Sequence, residues 1–248
     1  MVYYGRHVDV EPEAAGRDCH WLPRLQASPL MAQAPMQRLR LTFTRGAELK
    51  YISHLDITHL WERILRRADL PLAYSQGFSP HPKISIAAPL SLGVTSEAEL
   101  MDVELERRVA TPYCLKKITP QLPPGVEVRS LEEVPVTWPA LQATVRFAEY
   151  RVTLALDEPL AGLQARIAEI MQATTLPRER RREKEIRRYD LRPLIAGLWI
   201  QSFLPAQVVL GMRLQTDERA TGRADEVLAA LGLADVPRTI HRTRVVLA

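Results

Sequence analysis

The chain has 248 residues, of which 46% are hydrophobic, and this supplies enough apolar side chain for one large domain or two domains of about 120 residues. Cys19 and Cys114 are the two cysteines, and their wide spacing excludes a disulfide framework and a cysteine metal cage. We therefore expect a reducing, cytoplasmic setting. The sequence has no apolar run of signal-peptide or membrane-span length, so we expect no membrane partner.

The net charge of +4 is concentrated in one segment. Residues 178–192 contain eight basic and four acidic side chains, whereas the remaining 25 basic and 25 acidic residues cancel. A local basic excess is typical of a polyanion contact, in which cations neutralise phosphates. It is also compatible with an exposed linker hairpin in which Glu and Arg pair. If the segment binds RNA, the contacts that we expect are Arg180, Arg181, Arg187 and Arg188.

Residues 1–36 lack helical or strand periodicity and predict an irregular lead segment. Alternation from Gln37 predicts a strand, and Ser53 with Asp56 forms a capping box that starts a helix with an apolar stripe from Ile57 to Ala68. Further along, the sequence predicts a strand near 84–88, a strand at 100–105, a helix at 112–119 and a strand at 126–134. The first half, 37–136, therefore reads βαββαβ.

The second half, 140–248, repeats this order of elements. Its pattern predicts a strand at 143–156, a helix at 159–173, strands at 195–200 and 208–214, a helix at 224–231 and a strand at 239–247. We therefore predict an α+β fold made of two tandem ferredoxin-like βαββαβ units with antiparallel sheets, joined near residues 135–139.

Two polar segments of the first half carry a family resemblance. They read Tyr51-Ile-Ser-His-Leu-Asp56 and Tyr74-Ser-Gln-Gly-Phe-Ser-Pro-His-Pro-Lys-Ile-Ser85, and they are followed by Pro89, Leu90, Gly93, Ser96, Glu99 and Asp102. Together they resemble the bacterial radical-SAM-linked family of unknown function, and the likeness continues more loosely to residue 248. The chain departs from the family pattern at His59, Ser79 and Ser91.

The resemblance implies association with a radical-SAM protein as partner and implies no known activity. The chain lacks a C-x-x-x-C-x-x-C motif for a radical-SAM cluster, a P-loop and a G-x-S-x-G elbow. We therefore expect that it holds no cofactor and no metal, and that any radical chemistry belongs to the partner.

His54, His81 and Lys83 are the candidate catalytic residues. Pro80 and Pro82 flank His81 and favour extended backbone around it, so its imidazole is rigidly placed for acid, base or phosphate-binding roles. The same residue is equally compatible with tying down its own loop. His54 borders the apolar stripe of the predicted helix, which favours a structural role unless it shares a cleft with His81.

Tyr74, Phe78 and Lys83 form a second candidate set. The two aromatic rings could stack on the bases of single-stranded RNA, and the lysine could bind its phosphates. We call this arrangement the stacking ledge. The alternative is that both rings pack in the core. Gly77, within the same segment, indicates a backbone position with positive φ.

These features predict an RNA-binding accessory module that acts with a radical-SAM enzyme in RNA modification and has no catalysis of its own. Two alternatives remain open. One is a metal-independent RNA-processing enzyme, by analogy with the tandem ferredoxin-like units of CRISPR repeat-cleaving endonucleases. The other is a protein-docking adaptor, which would need no RNA.

Overall fold

The computed structural model describes residues 35–182, 185–217 and 219–248, and for residues 180–182 and 185–187 it describes the backbone alone. Residues 1–34 of the predicted lead segment lie outside these ranges. The helices are α1 (His54–Arg67), α2 (Thr111–Ile118), α3 (Leu141–Thr144), α4 (Leu160–Gln172) and α5 (Ala224–Ala230). The strands are β1 (Gln37–Arg45), β2 (Ile84–Ile86), β3 (Thr95–Leu105), β4 (Val128–Val134), β5 (Val145–Leu154), β6 (Pro177–Arg182), β7 (Glu185–Asp190), β8 (Ile195–Leu204), β9 (Gln207–Gln215) and β10 (Arg238–Leu247).

Helix α1 begins where the capping pattern predicts. The Ser53 side chain accepts a hydrogen bond from the backbone N–H of Asp56 at 3.2 Å, which satisfies one of the free donors of the first turn. The apolar stripe places Trp61 in the core with no exposed surface, and its indole meets the Phe43 ring of β1 edge-on at 4.8 Å between centroids. Trp61 therefore packs helix α1 against the sheet.

A single large sheet runs through both halves of the chain. Its strand order is β4-β1-β3-β10-β5-β9-β8, with the short β2 paired to β3 beside this path. Neighbouring strands are antiparallel within each half, and the predicted α+β class with a mostly antiparallel sheet is confirmed.

The two halves meet at strands β3 and β10. These strands pair in parallel over a short stretch, with His241 opposite Thr95 and Arg242 opposite Ser96. The strands of the two halves thus belong to one continuous sheet, because β10 pairs with β3 at Thr95 and Ser96, beyond the stretch of β3 that pairs with β2. Each half still has its own apolar core, built around Trp61 in the first and Met212 in the second.

Several elements differ from their predicted bounds. Strand β3 starts five residues earlier than expected, because its first half pairs with β1 across a bulge near Phe43 that the alternation pattern does not reveal. Strands β6 and β7 and the one-turn helix α3 were not predicted as elements. The hairpin of β6 and β7 forms a sheet of its own, inserted between α4 and β8.

Candidate functional site

The two candidate histidines occupy different parts of the first half. His54 opens helix α1 and is half-buried near Glu99 of β3. His81 lies exposed in a loop that leads into β2, and the carbonyl oxygen of Lys83, just before β2, accepts a hydrogen bond from the N–H of Glu104 on the same β3 at 3.1 Å. Glu99 and Glu104 are five residues apart on β3, and a strand rises about 3.3 Å per residue, so these two positions are about 17 Å apart along the strand. The two histidines thus lie beside different positions of β3, and a cleft shared by His54 and His81 stays a prediction.

Burial lowers the pKa of His54 below its ordinary value of 6.5. The Glu99 carboxylate works in the opposite direction, while the positive charges of Arg45 and Arg242 lower the pKa further. The neutral imidazole is therefore favoured, and His54 sits at the edge of a buried charged cluster.

Two acidic residues of the family motif, Glu99 and Asp102, each form a buried ion pair with an arginine. Arg242 of β10 is completely buried and forms a bidentate ion pair with Glu99, with Nε donating to Oε1 at 2.9 Å. Its Nη2 also donates to the carbonyl oxygen of Ala88 at 3.1 Å. Arg40 of β1 likewise donates to Asp102 through Nε at 2.7 Å and through Nη2 at 2.9 Å. Glu99 and Asp102 are thus neutralised inside the protein.

His81 closes its loop through its backbone. Its N–H donates to Ser75 Oγ at 3.0 Å, and its carbonyl accepts from the Ser75 N–H at 2.8 Å. The imidazole itself makes no hydrogen bond within the described part of the chain and faces solvent. Gly77 at the tip has φ of +131°, as the sequence indicated.

The predicted stacking ledge is only partly assembled. Phe78 at the loop tip is fully exposed, whereas Tyr74 packs against the core of the first half. Lys83 forms an ion pair with Glu104 at 3.4 Å, and Arg38 reaches the same carboxylate at 3.1 Å. Lys83 and Arg38 line an open cavity of about 330 Å³ together with Ser85. Among the candidate residues of this loop, Phe78 and His81 are therefore the exposed ones.

A larger cavity of about 470 Å³ lies at the seam between the halves. One wall is the loop 89–94, which belongs to the family motif, and the other is formed by residues 221–225 and 235–240. Arg223 in this cavity is held by Asp225 through hydrogen bonds of 2.9 and 2.7 Å. The Arg238 guanidinium is directed to the Val236 carbonyl at 3.3 Å. Arg223 and Arg238 thus already form hydrogen bonds within the protein.

The basic segment 178–192 is the hairpin of β6 and β7, which matches the linker-hairpin interpretation in shape. In its ladder, Arg180 stands opposite Arg187, and Glu179 stands opposite Arg188. Arg188 donates to Glu179 at 2.7 Å, yet 83% of its side chain stays exposed. The side chains of Arg180, Arg181 and Arg187 lie outside the described part of the structure.

Sequence reasoning missed an aromatic residue on the sheet itself. Trp199 of β8 is 44% exposed and lies across Gly211 of β9, where a Cβ atom would overlap the indole. It also covers Gly197, whose Cβ would lie 3.3 Å from Cζ3 of Trp199. The signal was present in the alternation of Gly197 and Trp199 along a strand, with a second glycine in the facing strand.

Structural comparison finds chains in three complexes that overlap with most of this one. The Cbf5-Nop10-Gar1 complex is 14% identical, with a TM-score of 0.46, and the overlap covers 85% of this chain and 49% of that chain. An H/ACA RNP bound to a substrate RNA containing 2'-deoxyuridine is 12% identical, with a TM-score of 0.42 and coverage of 84% and 47%. The archaeal box H/ACA sRNP Nop10-Cbf5 complex is 14% identical, with a TM-score of 0.42 and coverage of 88% and 50%.

The chain spans about half the length of these solved chains. At such TM-scores the overlaps support no conclusion about function. No curated protein matches the sequence. A family model does match, over residues 38–224, which is most of the chain. The protein therefore belongs to DUF2344, a family described as an uncharacterized protein conserved in bacteria.

Proposed function

We propose that this protein is an RNA-binding accessory module that acts with a radical-SAM enzyme in RNA modification in the cytoplasm. The proposal includes its finer architecture, two ferredoxin-like units over 37–136 and 140–248. The observation that carries it is the basic hairpin: the segment that holds the whole net charge of the chain is a separate β-ribbon outside the main sheet.

The segment 178–192 contains eight cations and four acids, so its cations outnumber the acids that could pair with them within the segment. Arg192 at its base donates to the carbonyl oxygens of Met171 and Ile195, both at 2.8 Å, so it has a structural role. Asp190 accepts from the N–H of Leu176 at 2.7 Å, so this acid also serves the base of the hairpin. Of the strand cations whose side chains are described, Arg188 pairs with Glu179 at 2.7 Å and Arg178 lies 4.0 Å from Glu226, so the excess of cations over acids in the sequence is what supports a polyanion contact. Phosphate groups of RNA are the polyanion that such a ribbon would neutralise.

The loop 74–83 provides a second, weaker contact in this proposal. Phe78 exposes its whole ring and is the group best placed to stack on an unpaired base. Tyr74 supports the loop from the core side, and Lys83 shares Glu104 with Arg38. We expect Phe78 to contribute to RNA binding more than Tyr74 or Lys83.

One observation favours a docking function as well. Tyr51, Leu55 and Leu92 are 73%, 68% and 63% exposed, and the Tyr51 ring lies 3.7 Å from the position that a Gly93 Cβ would take. We call these three residues the apolar patch. Exposed apolar groups of this size typically mark contacts with other proteins. Within the proposal the apolar patch binds the radical-SAM partner.

The test is to crosslink the protein to RNA in bacterial cells and sequence the bound RNA. The proposal predicts enrichment of one class of RNA, and loss of that enrichment in the Arg180, Arg181, Arg187 and Arg188 to Ala variant. Recovery of RNA in proportion to its abundance, unchanged by the variant, would contradict the proposal. Cleavage of the same RNA by the purified protein alone would favour the RNA-processing alternative.

A further inference from the structure

The sheet of the second half carries a row of aligned side chains on one face. Strand register places Trp199 opposite Gly211, Gly211 opposite Arg151, and Arg151 opposite His241. Residues directly opposite in neighbouring strands point to the same face of a sheet. The row therefore crosses β8, β9, β5 and β10 with the indole at one end and the Arg151 guanidinium near the middle.

A second row runs beside the first. Gly197 stands opposite Arg213, Arg213 opposite Glu149, and Glu149 opposite Arg244. Together the two rows define the open face of the sheet, which lies on the side away from the second-half core around Met212. The core takes the alternate residues, such as Leu210 and Val152, and within the two rows Trp199, Arg151 and Arg244 are exposed.

We infer that this open face binds single-stranded RNA, with Trp199 stacking on an unpaired base and Arg151 and Arg244 holding the adjacent phosphates. The inference rests on the proposed RNA-binding function and names a site for it apart from the hairpin.

The indole is shaped for stacking by its two glycines. Because Gly197 and Gly211 have no Cβ, the ring lies on the sheet with one side covered and the other exposed. Because the ring is already held in place, little side-chain entropy would be lost when a base stacks on its outer surface. Base–aromatic stacking of this kind tolerates any base, because every base has a π-face. Antiparallel sheets that bind single-stranded RNA use aromatic residues in this manner.

The charges of the open face point to an anionic ligand. Arg151 and Arg244 are exposed, and neither forms an ion pair within the described residues. The Arg213 guanidinium lies 4.7 Å from the centroid of the Phe147 ring, and its Nε lies 3.9 Å from Glu149. These two contacts already stabilise part of its charge. His241 forms a hydrogen bond between its Nδ1 and Thr95 Oγ1 at 2.7 Å, and Glu97 lies 3.6 Å from its Nε2. Arg151 lies two strands from the indole and Arg244 three strands, about 10 and 14 Å at the usual strand spacing, so a single strand of RNA could place a base on Trp199 and its phosphates on the two guanidiniums.

The test is fluorescence anisotropy with a labelled oligouridylate of about twelve nucleotides, a length in the range of single-strand binding folds. Trp199→Ala should weaken binding by about 5- to 150-fold at every salt concentration, and Trp199→Phe should restore most of it. Trp138→Ala is the matched control, because Trp138 is similarly exposed (50%) but belongs to the segment that joins the halves. It should leave binding within about twofold, as expected for a residue outside the site.

Arg151→Glu keeps the inference testable if Trp199→Ala proves unstable. It should weaken binding of the oligouridylate, whereas Arg129→Glu, the same charge reversal at an exposed residue of β4, should not. If the parent binds RNA and both Trp199→Ala and Arg151→Glu bind like their controls, the open face is not an RNA site, although the proposed function stands. If the parent binds no RNA in any form, both the proposed function and this inference fail.

Discussion

Arg242, six residues before the end of the chain, forms a fully buried ion pair with Glu99 in the first half, and Arg242 also donates to the Ala88 carbonyl. The pair joins β3 to β10 next to the short parallel pairing of these strands. A buried charge that loses its partner is costly, because it has no solvent to compensate.

We therefore expect Glu99→Gln to lower the free energy of unfolding by about 3–5 kcal/mol. The control is Glu97→Gln on the same strand, where the carboxylate is 46% exposed, and it should change stability by less than about 0.5 kcal/mol. Urea denaturation followed by circular dichroism measures both. Equal stabilities of the two variants would mean that the buried pair does not hold the halves together.

His54 predicts a pH dependence of stability. Its pKa in the folded protein is lowered, mainly by burial, so the unfolded chain takes up a proton on this residue first as the pH falls. Stability should therefore be at its full value above about pH 6.5 and decrease as the pH falls below it. His54→Gln should reduce this slope in denaturation midpoints measured from pH 8 to pH 5.

The control for this measurement is His59→Gln, which replaces an exposed histidine of the same helix. If His54→Gln and His59→Gln have the same slope as the parent, the charged cluster around Glu99 does not influence folding through His54.

The glycine beneath Trp199 gives a third prediction. In Gly211→Ala the new methyl group would overlap the indole, so the ring must leave the sheet and the protein should lose about 1–3 kcal/mol of stability. Adding Trp199→Ala should recover most of this loss, because the obstructing ring is gone. Thermal unfolding of the single and double variants measures the coupling.

Gly162→Ala serves as the matched control. Gly162 lies inside helix α4 with no atom within 4 Å of its Cβ position, so alanine should stabilise the helix by about 0.5–1 kcal/mol. A Gly211→Ala variant as stable as Gly162→Ala would show that the indole does not rest on the sheet in solution.

Local patterns predicted most of the elements because each leaves a periodic signature. The stripe from Ile57 to Leu65 placed α1, and the Ser53 cap placed its first residue. The hairpin of β6 and β7 was missed as a pair of strands because its charged residues have no apolar alternation. It is held by backbone pairing, such as Arg178 with Tyr189.

The site was harder to predict because it depends on contacts between distant residues. Nothing in the spacing of Glu99 and Arg242, 143 positions apart, indicates that they meet. Nor does the spacing of His54 and His81 indicate that their segments lie beside different parts of β3. Gly197 and Trp199 alternate within one strand of the sequence, but only the strand register places Gly211 of β9 beneath the indole.

The most direct test of the central claim is RNA binding by filter titration across several salt concentrations. Replacing Arg180, Arg181, Arg187 and Arg188 with Ala should weaken binding and flatten the slope of log K against log salt by up to about three to four units, at roughly 0.7 to 0.9 per lost contact. The charge-matched control replaces four exposed arginines elsewhere with Ala, namely Arg63, Arg66, Arg107 and Arg129.

This control and His81→Ala should both keep the slope of the parent, because neither removes a phosphate contact of the hairpin. We expect a flattened slope in the hairpin variant alone. A hairpin variant that binds RNA as tightly as the parent at every salt concentration would contradict it and would make the protein-docking adaptor the better explanation.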